Sequence, residues 1–118
     1  MLNDAVGFTH VYLCAGYTDL RKGIDGLVTV VTGTLGLDPT VPGSIFLFCG
    51  RRNDRMKALL YEGDGWLLCY KRFADGRLQW PRSKQEALDL TPQQYRWLME
   101  GLSIEQKKVI PKVKPELY

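Results

Sequence analysis

Between Ser44 and Lys84 the chain is a series of short apolar runs separated by compact turns, and that alternation leaves few folds open. The runs fall at about 44–49, 56–62, 66–73 and 77–80. Gly63-Asp64-Gly65 and Asp75-Gly76 lie between them, and both are hairpin signals because such turns need residues that accept positive φ. The connection from Gly50 to Arg55 is longer and carries Arg51, Arg52, Asn53 and Asp54. Consecutive hairpins predict an antiparallel meander. IFLF and WLLCY are apolar at adjacent positions, so both faces of that sheet need cover. A helix can supply one cover; curling of the sheet or a partner can supply the other.

Helical periodicity appears on either side of this stretch. Val11 to Ala15 reads as a short strand, and Thr18 then stands as a helix N-cap. Apolar residues follow at Leu20, Ile24, Leu27, Val28, Val31 and Leu35, the spacing of one helix face. This predicts a helix over about 19–35, stopped by Gly36. Gly23, Gly26 and Gly33 weaken its intrinsic propensity, so it must depend on packing against the sheet. Trp80-Pro81 ends the meander, because proline cannot donate to a central ladder. Residues 86–90 read as a short strand. Thr91-Pro92-Gln93-Gln94 is a helix start with a capping box, with Leu90 and Tyr95 at staple positions, and predicts a helix over about 92–101. The fold class expected is α+β: a curled antiparallel β-meander with one long packed helix and a short C-terminal helix. Residues 1–102 are expected to form a single domain, followed by a basic, proline-containing tail over 103–118.

Several function classes find no support. No apolar run is long enough to span a bilayer, and the N-terminus lacks the pattern of a signal peptide, so a cytoplasmic protein is expected. Cys14, Cys49 and Cys69 show no C-x-x-C spacing and sit beside apolar runs, which suits buried thiols in a reduced compartment. The single histidine, His10, gives little basis for a zinc site or a nucleophile–base pair. Asp19 and Asp25 face different directions on a helix. Asp54, Asp64 and Asp75 each lie in a turn, where turn chemistry accounts for them. No catalytic residue, metal site or cofactor is therefore expected.

Charge is the informative quantity. The net charge is +3, but residues 44–84 alone hold nine bases against four acids. Arg51, Arg52 and Arg55 share one loop, and Lys57 follows. Lys71, Arg72 and Arg77 flank Asp75-Gly76, and Arg82 follows Trp80. Alternate connections of a meander lie at the same end of the sheet, so the 50–55 loop and the 74–77 turn should bring Arg72 and Arg77 to the first group. Arginine suits phosphate because its planar fork bonds in a bidentate way. Trp80, where exposed, would stack on a base. The residues themselves leave three readings open: contact with nucleic acid, contact with protein, and a solvated rim paired with Asp54, Asp64 and Glu62.

The ordered set of short motifs carries a resemblance. It begins with Thr18-Asp19-Leu20-Arg21-Lys22-Gly23-Ile24-Asp25-Gly26-Leu27 and continues through Leu35-Gly36-Leu37-Asp38-Pro39. Phe46-Leu47-Phe48-Cys49-Gly50-Arg51-Arg52-Asn53-Asp54-Arg55-Met56-Lys57 and Glu62-Gly63-Asp64-Gly65 follow. Tyr70-Lys71-Arg72, Trp80-Pro81 and Leu90-Thr91-Pro92 complete it. Over about residues 10–102 the chain resembles the TnpB-type accessory proteins, products of the second open reading frame, of the insertion-sequence-sixty-six (IS66) transposon family. Tyr61 and Met56 depart from the tryptophan and isoleucine usual there, both conservatively for a strand. The resemblance implies an accessory role in DNA transposition beside a separate transposase that holds the catalytic acids. It supplies no catalytic residues. The expected partners are transposon-end DNA and the transposase, with no membrane. DNA binding through the arginine-rich sheet edge is the leading expectation, and a transposase adaptor without DNA contact is the alternative.

Overall fold

The computed structural model describes residues 7–106. Five strands form one open, mixed sheet: β1 (His10–Cys14), β2 (Ser44–Phe48), β3 (Arg55–Tyr61), β4 (Trp66–Arg72) and β5 (Ala87–Asp89). Their spatial order is β4-β3-β2-β1-β5. The expected meander is present as β2–β3–β4, antiparallel throughout, with Leu47 opposite Ala58 and Ala58 opposite Cys69. β1 extends it in parallel, placing His10 opposite Ser44, and β5 adds antiparallel to β1. The sheet is thus mixed, and it reaches beyond the meander on the β1 side. The α+β class stands.

The fourth expected meander strand, over 77–80, joins no ladder. Its alternation is real, since Leu78 and Trp80 are buried while Arg77 and Gln79 are exposed. The segment instead lies under the sheet. The Leu78 N–H bonds to the Asn53 carbonyl at 2.7 Å, and Gln79 donates its side-chain amide to the Gly101 carbonyl at 2.9 Å.

Both sheet faces are covered by the chain itself. One face sends Val11, Leu13, Ile45, Leu47, Met56 and Ala58 against Leu78, Trp80, Leu90, Tyr95, Leu98 and Ile104. The other sends Phe46, Phe48 and Leu59 against Leu27 and Val31, with Ile24, Val28 and Leu35 at the margin. This is the period of two expected of strands buried on both faces. Neither curling nor a partner is needed to close the second face. Ile104 lies past the domain limit expected at residue 102, yet it belongs to this core. The part of the basic tail over 107–118 lies outside the described residues.

The short helix, α2 (Pro92–Met99), starts as its sequence dictates. The Thr91 hydroxyl accepts from the Gln94 N–H at 3.1 Å, and the Gln94 side chain accepts from the Thr91 N–H at 3.0 Å. Two amides with no intrahelical partner are satisfied by this exchange. The long helix buries the face its spacing predicts, but it begins later than expected. α1 (Ile24–Thr29) follows Gly23 and continues as a π-helical turn over Val30–Thr34. The Leu35 N–H reaches back to the Val30 carbonyl at 3.0 Å. Gly36, with φ at 66°, ends it as expected.

Residues 18–22 stay out of the helix because other bonds claim them. The Thr18 N–H bonds to the Cys49 carbonyl at 3.0 Å, and the Lys57 ammonium donates to the Lys22 carbonyl at 2.9 Å. The Asp19 carboxylate accepts from the Arg21 N–H at 3.0 Å, a local bond that competes with helix formation. Gly23 and Gly26 lower the propensity that would oppose it.

Candidate functional site

The unwound 16–22 segment and the 50–55 loop form the two walls of a groove at one end of the sheet. Gly50 allows their close approach: a Cβ there would stand 3.2 Å from the Thr18 carbonyl and 3.4 Å from Leu20 Cγ. The segment is pinned along its length. The Arg82 guanidinium donates to the Gly16 carbonyl at 2.9 Å, and the Gln85 amide donates to the Tyr17 carbonyl at 3.1 Å. Gly16 itself donates to the Pro81 carbonyl at 2.8 Å.

The groove has a volume of about 890 Å³. Leu20, Leu68, Tyr17 and Tyr70 give it an apolar and aromatic lining, and Arg21, Arg51, Arg52, Arg55 and Lys57 surround them. Asp19 is the one carboxylate among the lining residues. Arg21 hydrogen-bonds that carboxylate with its side chain and its backbone N–H, holding it down at about 2 from an ordinary 3.8. Asp54 lies beside the groove and is likewise held below the carboxylate range, chiefly by its bond from Arg55 at 2.9 Å. Arg52 shares the same carboxylate at 3.3 Å. Two arginines on one acid leave an excess of positive charge in the loop.

The sheet register adds another cation. Arg55 stands directly opposite Arg72 across the β3–β4 ladder. Like charges facing each other in this way destabilise a sheet. Asp54 answers Arg55, but no ion pair involves Arg51, Arg72 or Arg77 among the described residues. A bound anion would relieve this arrangement.

The structure therefore divides the residues singled out in the sequence. Arg51, Arg52, Arg55 and Lys57 come together around the groove, and Arg72 joins them through the ladder. Arg77 is exposed at the same end, with its carbonyl beside Gly101 on the α2 side. Lys71 projects from the other sheet face, with its ammonium 5.1 Å from the centre of the Phe73 ring. Arg82 is half-buried and structural. It bonds Gly16, the Asn53 side chain and Cys49 Sγ, and lies 4.2 Å over the Tyr17 ring.

Trp80 is corrected. It is 5% exposed, and its indole N–H donates to the Cys14 carbonyl at 2.9 Å, so it presents no face for stacking. The residue follows a turn in sequence, but its partner is the core.

Sequence reasoning missed Tyr17, Thr18, Leu20, Arg21 and Tyr70 as members of one site. The Thr18 N-cap reading assigned Thr18, Leu20 and Arg21 to a helix start. The glycines at 23 and 26, poor company for a helix, were the available signal. Cys14 and Cys49 are buried free thiols, and Cys69 is partly exposed. Burial pushes the Cys14 thiol up to about 12, which keeps it protonated and inert. Among the described residues no cluster of His, Cys, Asp and Glu is arranged to hold a metal, and no helix is long and apolar enough to cross a membrane.

Comparison with known proteins gives one family. Residues 9–109 match the family described as IS66 Orf2 like protein. An uncharacterized protein, y4jC, of Sinorhizobium fredii (strain NBRC 101917 / NGR234) is 34% identical over 97 residues, covering 82% of each chain. A second uncharacterized protein of that strain, y4hO, is 34% identical over 92 residues, covering 78% of this chain and 79% of its own. No solved structure matches. The chain belongs to the IS66 Orf2-like family, and so stands among the accessory proteins of insertion sequences.

Proposed function

We propose that this member of the IS66 Orf2-like family is a non-catalytic accessory factor in DNA transposition that binds DNA through the arginine-bearing end of its sheet. Catalysis belongs, in this reading, to a separate transposase, and the protein works in the cytoplasm on transposon-end DNA. The observation that carries the reading is the unbalanced cation cluster. Arg55 and Arg72 face each other, Arg51 and Arg72 make no ion pair among the described residues, and a single Asp54 serves both Arg52 and Arg55. Guanidinium groups so placed suit the oxygens of phosphate.

The test is a binding titration with transposon-end DNA over a range of salt. Each phosphate contact releases counterions, so affinity should fall steeply as salt rises. Changing Arg51, Arg52 and Arg72 together to alanine should reduce the slope of log affinity on log salt by about three and abolish binding at moderate salt. Absence of binding by the wild type at low salt would end this reading.

A second reading, an adaptor for the transposase, draws on the outer edge of β4. The bonds from Phe73 to Asp54 and from Glu62 to Gly65 fix the ladder phase, so Trp66, Leu68, Tyr70 and Arg72 direct their backbone groups away from β3. Among the described residues no strand pairs with that edge, which suits addition of a partner strand. Co-purification with the transposase from nuclease-treated extract, lost when Leu68 is changed to proline, would favour the adaptor.

A further inference from the structure

We infer that the groove between the 16–22 segment and the 50–55 loop takes an unpaired nucleotide, so that the protein prefers single-stranded or unstacked DNA to duplex. The inference rests on the DNA-binding reading and specifies its ligand. A duplex presents phosphates on a convex, rigid surface, and exposed arginines alone would serve it. This site is an open concave groove, and its volume of about 890 Å³ lies in the range of small-ligand sites. Its lining is apolar and aromatic where the base would lie, through Leu20, Leu68 and Tyr70, and cationic around that, through Arg21, Arg51, Arg52 and Lys57.

Exposure points the same way. Large apolar side chains more than about a third exposed are few among the described residues, and two of them, Tyr17 at 51% and Tyr70 at 53%, line this one groove. Arg82 and Arg51 lie over the Tyr17 ring, which makes that tyrosine a holder of guanidinium groups. Tyr70 meets the Arg55 guanidinium through its hydroxyl, and its ring is the aromatic surface for a base. A further observation is independent of charge. The Thr18 side chain lines this groove and a smaller cavity beside it, and its buried hydroxyl has no hydrogen-bond partner among the described residues. Buried polar atoms without a partner are rare, and a water, an ion or a functional role is the usual account of one.

The experiment is fluorescence anisotropy with a labelled oligonucleotide of about a dozen nucleotides, single-stranded or annealed to its complement, at low salt. The single strand should bind at least about tenfold more tightly, and Tyr70→Ala should weaken it by roughly 5- to 100-fold while changing duplex affinity less than about twofold. Tyr70→Phe should keep the preference. Thr18→Val, which keeps shape and removes the hydroxyl, should leave the melting temperature unchanged or higher and still weaken the single strand. Equal affinity for both forms, or equal loss on both with Tyr70→Ala, would overturn the groove assignment and leave duplex binding intact. Failure of both forms to bind would instead refute the DNA reading beneath it.

Discussion

At one end of the meander the Glu62–Gly65 turn is closed by a single backbone bond, from the Glu62 N–H to the Gly65 carbonyl at 2.8 Å. At the other end the Gly50–Asp54 loop is tied to segments far away in sequence. The Cys49 carbonyl takes the Thr18 N–H, the Asn53 carbonyl takes Leu78, the Asp54 carbonyl takes Phe73, and Arg82 reaches the Asn53 side chain. The first end carries two acids in a turn that the hairpin alone defines. The second carries the arginines in a loop that the whole domain defines. A loop already ordered loses less conformational entropy when it binds, so charge held this way is better used in recognition.

That contrast can be broken first at Trp80. Trp80→Ala removes a buried side chain and its bond to Cys14, and should cost about 3–5 kcal/mol in urea unfolding. It should also raise amide exchange at Leu78 and Thr18, on the basic side. Gly63→Ala is the counterpart at the acidic end. Gly63 has φ at 92° and open space around it, so the cost is backbone strain alone, about 1–2 kcal/mol. Arginine-loop exchange should not change. A larger loss from Gly63→Ala than from Trp80→Ala would invert the comparison.

Asp54→Asn tests the shared acid. It releases Arg52 and Arg55 from their carboxylate, so affinity for DNA should rise severalfold at low salt and converge with the wild type as salt screens the difference. Asp54 has a lower pKa folded than unfolded, so its contribution to stability is complete above the unfolded carboxylate range and is lost as pH falls through the folded value. Below about pH 4 the wild type should therefore lose stability faster than Asp54→Asn in melts taken across that range. The smallest effect is expected at Asp64, which is exposed in the local turn. Asp64→Asn should stay within about 0.5 kcal/mol of wild type and leave DNA affinity nearly unchanged.

What could be read from sequence follows the same division. Local chemistry was legible: the Thr91 capping box, the Gly63 hairpin and the helix face through Leu27 and Val31 all appear where their residues place them. Tertiary choices were not. The position of β1 beside β2 depends on pairing His10 with Ser44 across an intervening helix. The start of α1 shifted to Ile24 because Cys49 and Lys57 claim the backbone of residues 18–22. The alternation over 77–80 was correct, yet burial beneath the sheet replaced a ladder. At the site, the arginine loop was legible because composition marks it. Tyr17, Thr18 and Tyr70 were not, because only the fold brings them to that loop.

The ladder between β1 and β5 sets Tyr12 opposite Asp89, and the groove wall depends in turn on Arg82 and Gln85. During synthesis the three meander strands can pair once Arg72 has emerged, since their contacts are local. The first strand must wait with one edge bare until residue 89 arrives. A nascent or prematurely ended chain that stops before residue 82 would display every arginine of the loop while the facing wall still lacked its anchors at Gly16 and Tyr17. Its cationic loop would thus be in place before the wall that faces it is fully fixed.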